Sequence, residues 1–267
     1  MKEKKQIKID KKQAWRVASN IVYPLVSFAL VLAIWAIVAK VKDNPLVMPM
    51  PDVVIESFFS LCKESGFWTA VGMSLARTLI CFVISFVAAL ALAALGGLAN
   101  PVHRIISPIV TFLRSAPTVA VILILYAFAT SNVMAVSVGF LVAFPIMYSA
   151  FYGAISGVDK DLVEMAKVYK VSPWNKVVGV YLPSVAECLF DTSKSTLSLT
   201  LKVVVAAEIL AGIGKSIGGK ISVANATFEI AYLLAWTLVA IALSFALEGV
   251  VAIFKKIWQV TRWAISW

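Results

Sequence analysis

Residues 75–98 read LARTLICFVISFVAALALAALGGL, and Arg77 is the one charged residue in the run. A helix needs about 20 mostly apolar residues, at about 1.5 Å rise each, to cross a bilayer core. This stretch is long enough and apolar enough to do so, and Arg77 lies near enough to its start to snorkel to the interface. Gly96, Gly97, Asn100 and Pro101 then end it. Four more stretches of the same kind extend on either side: Ile21–Ala39, Val133–Tyr152 with a kink expected at Pro145, Val185–Ile213, and Ala231–Phe254. The Val185–Ile213 stretch is unusually polar for a membrane helix.

The composition agrees. The 267 residues are 61% hydrophobic and 14% charged, whereas a soluble domain carries about 25% charged residues to solvate its surface. Lipid is the solvent. The net charge of +10 does not suggest nucleic acid, because no basic stripe lies on a soluble fold. The basic residues crowd the ends of apolar stretches instead: Lys2 to Arg16 before the first, and Lys255, Lys256 and Arg262 after the last. Such flanks face the cytoplasm. The run before the first span is not read as a cleavable signal, since the apolar stretch that follows is of spanning length and lacks a clear small-residue cleavage site.

A sixth region is irregular. Ile105–Phe112 is mostly apolar, Arg114-Ser115-Ala116-Pro117 interrupts, and Thr118–Ala129 is apolar again. Two readings stand: a broken span lining a pathway, since irregular backbone survives at depth only where protein or water satisfies it, or a helix that begins near Pro117 after an amphipathic stub. Ser131-Asn132 then makes a tight turn. Counting this region as one crossing gives six helices, an all-α membrane protein with both termini inside. Its parts are a basic N-terminus (1–20), a six-helix domain (21–254) and a basic, aromatic tail (255–267). Trp258, Trp263 and Trp267 suit the tail to an interfacial anchor. Residues 40–64, with an amphipathic segment Val53–Leu61, and the Gly-rich 212–227 segment face outside. The long polar interval 157–183 faces inside.

Three short motif matches fail. Gly214-Lys215-Ser216 lacks the P-loop's earlier glycine, since Ile209 stands there. Gly214 to Gly218 fits a nucleophile elbow, but the single histidine, His103, belongs to the opposite face. Asn225-Ala226-Thr227 is a formal glycosylation sequon, informative only in a eukaryotic secretory context. Cys62, Cys81 and Cys188 have no metal-like or disulfide spacing. No metal, cofactor or catalytic residue is expected on this chain.

The charges in the polar span do carry information. A charge at membrane depth costs at least ~2.5 kcal/mol, so it pairs or faces a polar cavity. Asp191 and Lys194 stand three apart and can pair. Lys202 has no carboxylate three or four residues away. It either pairs with another helix or faces the translocation path, where it would favour an anionic or carboxylated solute. Glu208, near the outer end, either gates the path or meets a second copy.

The interval 157–183 contains Glu164-Met165-Ala166, then Lys170, then Val180-Tyr181-Leu182-Pro183. This resembles the EAA loop of ABC importer permeases, E-A-A, three residues, G, nine residues, I-x-L-P. Every anchor is in register, with Met165 for Ala, Val180 for Ile, and Lys170 where the family has Gly, a costly change if the turn needs positive φ. Further resemblances to permeases of the nitrate/sulfonate/bicarbonate/taurine type are Val47-Met48-Pro49-Met50-Pro51, Leu113-Arg114-Ser115-Ala116-Pro117, Phe144-Pro145-Ile146, Ala207-Glu208 and Gly212-Ile213-Gly214. The family's W-F-G between the third and fourth spans is absent.

This resemblance implies a type I importer permease in a bacterial cytoplasmic membrane. It would dimerise with a second copy, engage two cytosolic ATPase subunits that carry the ATP and Mg, and receive cargo from an extracytoplasmic binding protein. The coupling residues would be Glu164, Met165, Ala166, Lys170, Val180, Leu182 and Pro183. The path residues would be Lys202, Glu208, Lys194, Pro117 and Arg114. The competing class is an ion-gradient-driven secondary transporter or channel, which would place ion-coupling carboxylates at mid-membrane and need no ATPase.

Overall fold

The computed structural model describes the backbone of residues 11–265 and the side chains of residues 22–261. Residues 1–10 and Trp267, and the side chains of Lys11, Lys12, Arg16, Arg262 and Trp263, lie outside the described residues. Every regular element among those described is helical: α1 (Lys11–Lys42), α2 (Pro51–Leu61), α3 (Phe67–Leu98), α4 (Asn100–Ser115), α5 (Thr118–Phe128), α6 (Ser131–Ser156), α7 (Lys160–Val168), α8 (Pro173–Lys176), α9 (Leu182–Ala211), α10 (Ile217–Ala226) and α11 (Ile230–Ile265).

Four helices contain stretches long and apolar enough to cross a membrane: Val22–Lys42, Phe67–Leu98, Ser131–Ser156 and Ile230–Thr261. α4 and α5 together would make a fifth, but the chain bends by 97° between them. α9 has the length, at 30 residues, and carries Glu187, Asp191, Lys194, Lys202 and Glu208. Its polarity keeps it out of the apolar set, as its sequence suggests.

Small residues let the helices approach closely. The face of α3 that includes Ser74, Thr78, Cys81, Ser85, Ala89, Ala93 and Gly96 is buried, and α6 packs along α3. A Cβ at Gly139 of α6 would lie 2.6 Å from Cys81 Sγ, so glycine is required for this contact. Hydrocarbon gives helices no hydrophobic reason to associate, and close packing of small residues replaces it. α9 lies against both α3 and α6, while α10 and α11 close the far side.

α1 stands apart. Most of its apolar residues from Val22 to Val41 are exposed; it meets α2, and Trp35 Nε1 donates to the Pro49 carbonyl just before α2 at 3.2 Å.

The irregular region resolves clearly. α4 touches α6 near both its ends: His103 Nδ1 lies 3.0 Å from the Tyr148 hydroxyl, and Arg114 Nη1 donates to Ser149 Oγ at 3.3 Å. Tyr148 and Ser149 are adjacent, so α4 runs across α6 rather than along it. The chain then turns at Ala116-Pro117 into α5, whose 11 residues extend about 16 Å. α5 is a half-length helix that starts after Pro117, and the amphipathic stub is a full 16-residue helix.

Other boundaries also shift. Ser131 and Asn132 are the first residues of α6, not a turn. α11 runs on through Lys255 and Lys256 to Ile265, so the basic tail is largely a continuation of the last helix.

Candidate functional site

The N-terminal parts of α3 and α6, the C-terminal end of α9 and the start of α10 meet in one polar cluster. Glu208 on α9 is fully buried, and its Oε1 accepts from Arg77 Nη1 of α3 at 2.7 Å. Arg77 also donates through Nε and Nη2 to Asn132 Oδ1 at the start of α6, at 3.0 and 2.8 Å. The second oxygen of Glu208 accepts from Ser74 Oγ at 2.7 Å and from the Gly218 backbone N–H of α10 at 3.2 Å. Ser74 Oγ in turn accepts from the Ile217 N–H at 3.0 Å.

Glu208 thus neutralises a buried guanidinium and caps the first turn of a short helix, where unpaired N–H groups favour negative charge. Within this chain Glu208 is held by Arg77, Ser74 and the first turn of α10. Arg77 does not snorkel; it points inward to Glu208.

The turn into α10 serves the same cluster. Gly212 adopts φ +60 as the left-handed residue that ends α9, and Ile213 N–H donates back to the Glu208 carbonyl at 3.2 Å. This is the Schellman arrangement, in which glycine avoids the Cβ clash. Ser216 Oγ caps α10 by accepting from Gly219 N–H at 2.9 Å. The Gly-rich segment 212–227 therefore contains a capped helix, α10, held against α9.

At the opposite face, α7 leads toward α9. Asp159 Oδ1 accepts from Asp161 N–H at 2.9 Å, capping α7. Glu164, Met165, Val168 and Tyr169 are exposed, and Ala166 is buried. Lys170 has φ 50, and Val171 N–H donates to the Ala166 carbonyl at 3.0 Å. So the position where the motif has glycine does adopt the left-handed turn, and lysine occupies it here under strain. Lys170→Gly is expected to stabilise this turn by about 1 kcal/mol. The check is amide hydrogen exchange at Val171, which should slow about fivefold.

From α8 the helix continues through one π turn, Val177–Tyr181, into α9. Leu182 N–H donates to the Val177 carbonyl five residues back. Pro183 has no N–H to continue the ladder, and a π turn is a common way for a helix to absorb such a defect. Val180, Leu182 and Pro183 therefore sit where the connector becomes α9.

The charges of α9 separate in the structure. Asp191 accepts from Lys255 Nζ of α11 at 2.7 Å, and Lys194 lies 3.9 Å from Glu248 of the same helix. The expected Asp191–Lys194 pair is not the one formed. An exposed pair within one helix contributes only about 0.2–0.5 kcal/mol, so partners on the adjacent α11 displace it easily. Lys202 is exposed and has no ion-pair partner among the described residues. Arg114 and Pro117 flank the α4–α5 bend, where Arg114, Thr118, Leu141 and Pro145 help line a cavity of about 230 Å³. No group of three or more metal-ligating side chains occurs among the described residues.

A family model described as the inner membrane component of binding-protein-dependent transport systems matches residues 85–258. The chain belongs to that family. It is therefore a membrane-embedded ABC importer permease, and the kinship inferred from its motifs is confirmed.

The nitrate import permease protein NrtB of Leptolyngbya laminosa is 28% identical over 201 residues, covering 72% of this chain and 71% of that one. The putative aliphatic sulfonates transport permease protein SsuC of Escherichia coli K12 is 28% identical, over 69% and 72%. The taurine transport system permease protein TauC of the same strain is 23% identical, over 75% of each chain. Among solved structures, the inward-facing MetNI methionine ABC transporter superposes with a TM-score of 0.57 at 20% identity, over 72% of this chain and 98% of that one. An amino acid ABC transporter with histidines gives 0.58 at 15%, over 82% and 97%. At these identities the structures establish fold alone, that of an ABC transporter permease.

Proposed function

We propose that this permease crosses the membrane six times with both termini cytoplasmic, pairs with a second copy, and is driven by two cytosolic ATPase subunits that bind ATP and Mg and dock on α7. The observation that carries this reading is mechanical. α7 is an exposed, capped helix tethered through a tight left-handed turn to α8, and from α8 one continuous helix runs through the π turn into α9. A push on α7 by a moving partner becomes a tilt of α9, since packed helices move as rigid bodies. The alternative of an ion-driven transporter has no use for such a connector.

α9 carries Lys202 exposed, and the α4–α5 bend carries Arg114 beside Pro117. In this reading these three residues border the translocation path. A lysine on a membrane helix costs about 2.5–3.5 kcal/mol unless it meets water or an anion. Two cations without a carboxylate on either suit a small anionic solute delivered by an extracytoplasmic binding protein. Relatives named for nitrate, aliphatic sulfonates and taurine accord with that class. Glu208 and Lys194 have partners inside the chain and are not assigned to the path.

The test is co-purification from crosslinked, solubilised membranes. The native chain should retain a cytosolic ATPase, and Glu164→Lys should lose at least nine-tenths of it while eluting as the same folded species. An ATPase retained equally by both removes α7 as the docking element. Absence of any ATPase from both turns the reading to ion-driven transport.

A further inference from the structure

α9 and α11 frame a second basic feature that neither the coupling nor the path uses. Lys194 and Asp191 of α9, with Lys255, Lys256 and Gln259 of α11, line an open cavity of about 380 Å³. Its lining holds three lysines against one carboxylate. That carboxylate is engaged by Lys255, whereas Lys256 is exposed and has no ion-pair partner among the described residues. Adjoining it is an apolar groove of about 300 Å³ whose lining includes Phe82, Phe86, Leu189, Phe254 and Trp258. Phe190 and Val251 line both, and the Phe190 and Trp258 rings lie 5.8 Å apart.

A cationic pocket sharing a wall with an aromatic and aliphatic groove fits one kind of molecule, with a small anionic head and an apolar tail. Ile253, Phe254, Ile257 and Val260 of α11 are 57–63% exposed, as side chains turned toward lipid are. Tryptophan beside lysines is the usual composition of the headgroup layer, and basic pockets between helices on the cytoplasmic side bind anionic headgroups. We infer that the α9–α11 seam holds an anionic phospholipid of the cytoplasmic leaflet, its phosphate on Lys255, Lys256 and Gln259 and one acyl chain in the groove lined by Phe82, Phe86 and Trp258. The leaflet follows from the orientation proposed above; the pocket and its ligand chemistry do not depend on it.

The seam also makes a prediction opposite in sign to that of a merely structural ion pair. Asp191 competes with the phosphate for Lys255. Removing its charge strengthens lipid retention.

The experiment is native mass spectrometry of the full-length protein from nanodiscs of equal phosphatidylglycerol and phosphatidylcholine, with bound lipid counted. The native chain retains phosphatidylglycerol preferentially. Lys256→Ala weakens retention about fivefold, from about 1 kcal/mol per lysine near a membrane surface, Asp191→Asn strengthens it, and Arg104→Ala, a basic residue outside the seam, leaves it unchanged. Equal loss in Lys256→Ala and Arg104→Ala reduces the effect to general surface charge and overturns the site, as does retention without preference for phosphatidylglycerol. Displacement of the lipid by millimolar inorganic phosphate shows a soluble-anion pocket instead and likewise overturns the lipid assignment. ATPase co-purification on the same samples, together with protease accessibility of the tail, reports separately on the proposed function and orientation.

Discussion

Glu208→Leu is expected to destabilise the permease by about 3–5 kcal/mol, the range found when one partner of a buried ion pair is removed. The variant should melt well below the native chain in detergent and accumulate poorly in membranes. The substitution strands three groups at once. Arg77 keeps its charge with only Asn132 to face it, at 2.8 and 3.0 Å. Gly218 N–H loses its 3.2 Å acceptor, and Ser74 loses its 2.7 Å partner. Leucine fills the space but answers none of these. The double variant Arg77→Met, Glu208→Leu should recover much of the loss, because a buried pair replaced by apolar groups of similar volume is often neutral. Full stability of the single variant would mean that water already reaches the cluster.

The ingredients of this cluster were visible in the sequence, but their association was not. The alternating orientation of the spans puts Arg77, Asn132 and Glu208 all toward the outer face, and opposite charges at equal depth are candidates to pair. The misreading of Arg77 came from a helix boundary. Taking Leu75 as the start leaves Arg77 at the interface and free to snorkel. α3 begins at Phe67, which places Arg77 ten residues, or about 15 Å, along the helix. At that depth a partner is cheaper than exposure.

Local features were read more faithfully than contacts between helices. The resemblance to the EAA loop marked Lys170 as the position where the family has glycine, and its φ of 50 is the conformation glycine adopts without strain. The break at Pro117 was legible too, since proline and its predecessor leave the helical ladder. The 97° bend across it was not, because that angle is set by how α4 lies across α6. Likewise Asp191 and Lys194 looked self-sufficient until α11 brought Lys255 and Glu248 alongside. Nothing in one helix's own spacing announces its neighbour.

Gly219→Ala should be the most damaging of the glycine-to-alanine changes. The segment 212–227 is rich in glycine, yet Gly218 and Gly219 serve closeness, not flexibility. An added Cβ at Gly219 would collide with the Ile213 carbonyl oxygen, and one at Gly218 with the Val205 carbonyl oxygen. Both obstacles are backbone, so no side-chain rotation relieves them. Either the α10 N-terminus retreats or the end of α9 unwinds, and both break the Gly218 N–H bond to Glu208 and the Gly219 N–H bond to Ser216. Overpacking alone costs about 1–3 kcal/mol, and the lost cap adds about 1 kcal/mol more. Gly214, five residues earlier in the same segment, has open space around its Cβ position. Gly214→Ala should therefore leave the melting temperature near native while Gly219→Ala lowers it sharply. Equal tolerance of both substitutions would show that α10 is a loosely held flap and that Glu208 answers to Arg77 alone. A loss confined to Gly219→Ala would instead fix α10 as a rigid part of the bundle, with Glu208 joining its first turn to α3.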